Sequence, residues 1–241
     1  MAGHSKWSQI KRKKAVNDQQ RGKIITKHIR AIQSAIREGG TAEVGANVML
    51  KNALAAAKTD NVPQDNISRA IERAVGGGEG NAYEGVTYEG YGVAGVAVIV
   101  EALTDNRNRT AGEVRSTFGK YGGNMSGGTA WQFDTKGMIV VPDSETVQEL
   151  AIELGAEDMN SEDGSLTIYT AAGDVYTIAD KLQTKGFIPE MTQITKIAQN
   201  ETKLSSEDVA KVARMIEALE DLDDVQNVYS SANLENLEVV S

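Results

Sequence analysis

The chain has 241 residues, of which 40% are hydrophobic, 24% charged and 5% aromatic, and it contains no cysteine. That composition supports two or three compact cores built from Val, Ile, Leu and Ala, and it excludes a disulfide scaffold, thiolate metal sites and cysteine nucleophiles. No apolar run approaches the ~20 residues that span a bilayer, and the N-terminus MAGHSKWSQIKRKK lacks the apolar stretch of a secretory signal, so a cytoplasmic protein with no membrane partner is expected.

The net charge of −9 is unevenly placed. Residues 1–40 hold ten Lys and Arg against two acids, a local +8. Residues 41–80 come to −1, and residues 81–241 hold eleven bases against twenty-seven acids, −16. An acidic body with one basic end repels a polyanion everywhere except at that end.

Taken in chain order, the first feature is the arm His4 to Lys14, which carries Lys6, Lys11, Arg12, Lys13 and Lys14 around Trp7. Such a segment binds phosphates without reading sequence, with Trp7 stacking on a base or anchoring the arm; the plain alternative is a solvated basic tail. From Arg21 to Glu38 the residues Ile25, His28, Ile29, Ile32, Ala35 and Ile36 recur at helical spacing, with Lys23, Lys27, Arg30 and Arg37 on the opposite side. No acid lies between Asp18 and Glu38, so with Arg21 this face is a second candidate phosphate contact; an ordinary exposed face is the alternative. His28, on the apolar side, reads as a packed histidine. Gly39-Gly40 stops the helix. A second helix is expected from Val44 to Lys58, and a third from Pro63, a residue suited to a first helical position. Gly76-Gly77-Gly78 then reads as a linker. A three-helix bundle preceded by a basic arm is the result.

After the linker the hydrophobic period changes from 3.6 to 2. Strands are expected at Val86–Tyr91 and Val96–Leu103, a helix at Arg109–Tyr121, and a strand at Thr129–Phe133. Residues 137–198 then read as strand Met138–Val141, helix Ser144–Leu154, strands Glu157–Asn160 and Leu166–Tyr169, helix Val175–Thr184 and strand Glu190–Ala198. That order, βαββαβ, is the ferredoxin-like pattern. Helix Ser206–Glu220, capped by Ser205 or Ser206, and strand Val225–Ser230 follow. This last pair needs a sheet to join, and the preceding unit is complete, so the sheet containing VAVIVEAL (Val96–Leu103) should receive it. The predicted class is α+β: an N-terminal three-helix bundle (1–78), a middle α/β domain (79–135 plus 203–241), and an inserted ferredoxin-like βαββαβ domain (136–202).

TDNRNRT, Thr104 to Thr110, joins the strongest strand to a helix. Arg107 and Arg109 supply charge and Asn106 and Asn108 supply amide hydrogens, which suits an anion at a helix N-terminus; a capped turn with exposed arginines is the alternative. Gly90 to Gly95 formally matches G-x-G-x-x-G, but it precedes a strand instead of following one, so a dinucleotide site is rejected. The segments Tyr88–Gly95 and Tyr121–Gly128 read as tight turns, or as close backbone contact with a partner. No catalytic constellation is present: the two histidines are His4 and His28, and HExxH, GxSxG and Walker patterns are missing. The acidic run Glu217–Asp224 reads as a solvated helix end, with a magnesium site as its alternative. A non-enzymatic protein without cofactor is expected.

Several of these strings occur together in one order. MAGHSKW with its following Ile10-Lys11, Arg21-Gly22-Lys23, Gly39-Gly40, Pro63 with Asn66-Ile67, Tyr88-Glu89-Gly90-Tyr91-Gly92 and Thr104–Thr110 resemble the YebC/PmpR family over essentially the whole chain. Val93 stands where that family's pattern has proline. The resemblance implies three domains, no enzymatic activity, and a probable DNA-binding transcriptional regulator or, alternatively, a ribosome-associated translation factor that contacts ribosomal RNA and relieves stalling. It carries binding over to the arm residues (His4, Lys6, Trp7, Lys11, Arg12, Lys13, Lys14) and to Asn106, Arg107, Asn108 and Arg109. Nucleic acid is the expected partner; oligomeric state is left open.

Overall fold

The computed structural model describes residues 18–76 and 83–234. The first helix, α1 (Asp18–Gly39), buries Ile32, Ala35 and Ile36 and half-buries Ile25 and Ile29. It stops at Gly40, whose φ of +67° is a left-handed conformation that glycine adopts without penalty. Helix α2 (Val48–Thr59) starts four residues later than the apolar pattern predicts. The reason is Asn47. Its buried side chain accepts from Leu50 N at 3.0 Å, capping α2, and donates at 2.8 Å to both Ala35 O and Thr41 O. One amide therefore ends α1, closes the loop and opens α2. Helix α3 (Gln64–Val75), with Pro63 at its N-cap, adds Ile67 and Ala70 to the bundle core.

The middle domain begins with β1 (Glu84–Tyr91), antiparallel to β2 (Ala97–Thr104). Strand β2 is central in the order β1-β2-β7, between β1 and the last strand, β7 (Val225–Ser230). A central strand loses both faces to the core, which explains the unbroken apolar run. Val98 and Val100 point into a cluster with α4 (Arg107–Lys120) and α7 (Ser206–Glu220), and Ala97 and Ile99 meet Phe133 and Tyr229 on the other side. The chain leaves this domain after α4 and returns for α7 and β7.

Between them lies a second sheet: β3 (Phe133–Pro142), β4 (Asp158–Glu162), β5 (Ser165–Ala171) and β6 (Met191–Ala198), in the order β4-β5-β3-β6, all antiparallel. Helices α5 (Glu145–Glu153) and α6 (Val175–Thr184) cover Ile139, Val141, Leu166 and Ile168 on one face. This is the ferredoxin-like arrangement. Asp163 and Gly164 both take positive φ, 51° and 77°, forming the tight β4–β5 turn.

One expectation is corrected here and another is made specific. Thr129–Phe133 is not a strand: Ala130–Gln132 is a short 3-10 turn, and Phe133 opens β3, which runs without a break to Pro142. The Glu89 carboxylate accepts the N–H groups of Thr129 and Ala130, donors that a neighbouring strand would otherwise take, and the Thr129 hydroxyl donates to Val98 O at 3.0 Å. The glycine-rich segments Tyr88–Gly95 and Tyr121–Gly128 meet each other. Tyr91 and Asn124 exchange backbone hydrogen bonds at 2.9 and 2.8 Å, and a Cβ on Gly90 or Gly123 would collide with the opposing carbonyl.

Candidate nucleic-acid interface

Residues 4–14, the arm, lie outside the described residues. The remaining predicted contacts fall in two places. On α1, Arg21 is exposed, whereas Lys23, Lys27 and Arg30 are half-buried and turned toward the carboxyl end of α7. Lys23 Nζ donates to Asp221 O at 3.1 Å and to Asp221 Oδ1 at 3.2 Å. Lys27 Nζ donates to Glu220 O at 2.9 Å. Arg30 donates to Asp223 O at 2.6 Å and to Asp224 Oδ1 at 2.9 Å, and its guanidinium lies 5.2 Å from the centre of the Tyr83 ring. Positions 23, 27 and 30 are one helical stripe. The last carbonyls of α7 have no helical partner and carry the negative end of the helix dipole, so three cations are natural partners for them.

The run Glu217–Asp224 is therefore not simply a solvated helix end. Its last member, Asp224, is 3% exposed and was missed as a site residue. Besides Arg30 on Oδ1, its Oδ2 accepts from Arg109 at 2.7 Å, from the Thr110 hydroxyl at 2.7 Å and from the Thr104 hydroxyl at 3.2 Å. Burial alone pushes the Asp224 carboxyl up. The hydrogen bonds from Arg109, Thr110 and Thr104, with the Arg109 charge, outweigh burial and hold it below the ordinary aspartate range. The bond to Asp224, with a further one at 2.8 Å to Asp105, pushes Arg109 up.

TDNRNRT is thus divided. Thr104, Arg109 and Thr110 hold Asp224. Asn106 is the N-cap of α4, accepting from Arg109 N at 3.1 Å. Arg107 remains 65% exposed with a long 3.6 Å pairing to Glu84, and Asn108 is exposed beside it. His28 Nε2 sits 2.7 Å from Asp60 Oδ2, a satisfied histidine within the bundle. Two signals in the sequence bear on Asp224: threonines bracket the TDNRNRT loop, and an acid directly precedes a buried strand. Neither says which distant cations it meets.

Among the described residues no group of three or more His, Asp or Glu is placed to hold a metal ion, and no helix is long and apolar enough to cross a membrane. Asp224, the buried carboxylate of the acidic run, is occupied by two arginines.

The comparisons with known proteins cover the whole of this arrangement. Residues 5–77 match the TACO1/YebC protein N-terminal domain, and residues 83–232 match the TACO1/YebC second and third domain. A "probable transcriptional regulatory protein" of Deinococcus radiodurans is 53% identical over 216 residues, covering 88% of each chain. A protein of the same description from Thermus thermophilus is 52% identical over 215 residues, again 88% of each. The crystal structure of a conserved hypothetical protein from Aquifex aeolicus superposes with a TM-score of 0.83 at 40% identity, covering 93% of this chain and 94% of that one. With both family descriptions matched in order and relatives above half identity, the chain belongs to the TACO1/YebC family.

Proposed function

We propose that this chain is a non-enzymatic, nucleic-acid-binding regulator of gene expression that acts on duplex DNA. The observation that carries the reading is charge segregation: +8 over residues 1–40 against −16 over residues 81–241. The names of the Deinococcus and Thermus relatives support the regulatory half of it. Residues 4–14 make the primary phosphate contact, joined by exposed Arg21. Arg107 and Asn108 form a secondary contact, while Asn106 and Arg109 position that first turn of α4.

Fluorescence anisotropy with a labelled duplex tests the reading. A protein making about six to ten phosphate contacts loses roughly 10³–10⁵ in affinity between 50 and 200 mM salt. Deleting residues 1–14 abolishes binding without altering the circular dichroism spectrum. Binding that survives the deletion, or ignores salt, sinks the proposal.

A second reading, a translation factor bound to ribosomal RNA, is favoured by one observation. The basic stripe of α1 faces the body, so it does not offer an outward helix to a major groove. Structured RNA, held by phosphate and shape, needs no such helix. Sucrose-gradient sedimentation separates the two: stable migration with ribosomes at near-physiological salt replaces the duplex reading with this one.

A further inference from the structure

We propose that Lys23, Lys27 and Arg30 form a phosphate-binding stripe that the carboxyl end of α7 occupies in place of phosphate, and that a polyanion displaces it and frees the bundle from the body. The identity of that polyanion as nucleic acid rests on the function proposed above; the displacement itself does not.

The acceptors are of the right kind. Three backbone carbonyls (Glu220, Asp221, Asp223) and two carboxylates (Asp221, Asp224) supply anionic or partly anionic oxygens to the stripe. Seven residues of helix separate Lys23 from Arg30, a rise of about 10 Å. One strand of a duplex presents about three phosphates over that axial length. The stripe therefore fits a run of phosphates as well as it fits the end of α7.

The joint is also of the right strength. The apolar core of the bundle and that of the middle domain share no residue, and five hydrogen bonds join α1 to the end of α7. Helix α2 additionally touches β6 of the inserted domain. Lys23 is 37% exposed and Asp221 62%, so their pairing is screened by salt. Polar interfaces between domains of one chain open readily. Arg30, against Asp224, is the well-shielded pairing, at 17% and 4% exposed; its departure to a phosphate leaves neither charge unpaired, because Asp224 keeps Arg109, Thr110 and Thr104.

The test uses the full chain. It has no cysteine, so Glu72→Cys on α3 and Glu113→Cys on α4, both exposed, accept a dye pair. Energy transfer is read from about 0.1 to about 1 M NaCl, across which the Debye length falls from about 10 to about 3 Å. It is then read at the low salt with inorganic polyphosphate, duplex DNA or structured RNA. The expected result is a fall in transfer with salt and with polyphosphate. Asp221→Lys, which sets a cation against Lys23, lowers transfer at low salt. It also tightens polyphosphate binding at least fivefold beyond Glu153→Lys, the same charge change at an exposed site on α5.

Transfer that stays constant while anisotropy reports bound polyphosphate overturns the displacement. So does opening by salt without any response to polyphosphate, or an Asp221→Lys variant no tighter than the Glu153→Lys control. Opening by salt and polyphosphate with no binding of either nucleic acid leaves the displaced stripe standing and removes the nucleic-acid reading. Nucleic-acid binding at constant transfer does the reverse.

Discussion

The stripe on α1 and the segment Thr104–Thr110, whose last four residues are the first turn of α4, are both basic and equally suited to phosphate by composition. The folded protein uses them differently. Arg109 belongs to a buried knot whose centre, Asp224, is 4% exposed in its side chain and receives four side-chain donors. The lysines of α1 lie instead on half-exposed carbonyls and on Asp221, within reach of salt and of any competing anion. A buried carboxylate with its donors in place is costly to break, because what remains is an unpaired charge. A screened lysine pair is nearly neutral. Positive charge in a sequence therefore does not distinguish an internal counter-ion from a surface awaiting a ligand; burial of the partner does.

That contrast can be broken from either side. Asp224→Ala removes the carboxylate that Arg30, Arg109 and the hydroxyls of Thr104 and Thr110 share. It should cost about 3 kcal/mol in urea unfolding, and a loss near zero would show that the knot contributes nothing. Thr110→Val keeps the shape and removes one donor to a charged acceptor; the midpoint should move by an amount equivalent to about 2 kcal/mol. Asn106→Ala takes the cap from α4 and should cost about 1 kcal/mol. On the other side, Lys23→Ala and Arg107→Ala should each leave stability within about 0.5 kcal/mol by the same measurement. If Lys23→Ala costs as much as Asp224→Ala, the two regions are not different in kind.

Acid sharpens the comparison further. The folded Asp224 carboxyl lies below its ordinary value of 3.8, so the unfolded chain binds the extra proton. The stabilisation is complete above that ordinary value and is lost as pH falls through it toward the lowered folded one. Thermal melts of Asp224→Asn should show a shallower acid limb than the parent. The lysine contacts on the end of α7 lie within reach of salt. Their signature is salt: added NaCl should alter the dye distance and leave the acid limb in place.

Much of the architecture was legible because it rests on local patterns. Val175–Thr184, Ser206–Glu220 and Val225–Ser230 begin and end where periodicity and capping put them. In α7, for example, the Ser205 hydroxyl accepts from Asp208 N at 3.2 Å, a bond between residues three apart. The α+β class followed from the change of period after Gly78, together with a last helix and strand in need of a sheet. Failures of boundary occurred where a side chain took over a backbone partner: Asn47 delays α2, and Glu89 turns Thr129–Gln132 away from a strand.

The site was less legible. Charge segregation sets one basic end against an acidic body, and that much is read from the sequence alone. Which cations remain available to such a ligand was decided by pairings across the fold. Arg30 meets Asp224 from 194 residues away, and Arg109 meets it from 115. Helix, cap and strand periods are set by neighbours a few residues apart, so sequence determined them. The fate of a charge depends on what the tertiary structure brings beside it and on how much water is left between, and no spacing along the chain encodes either.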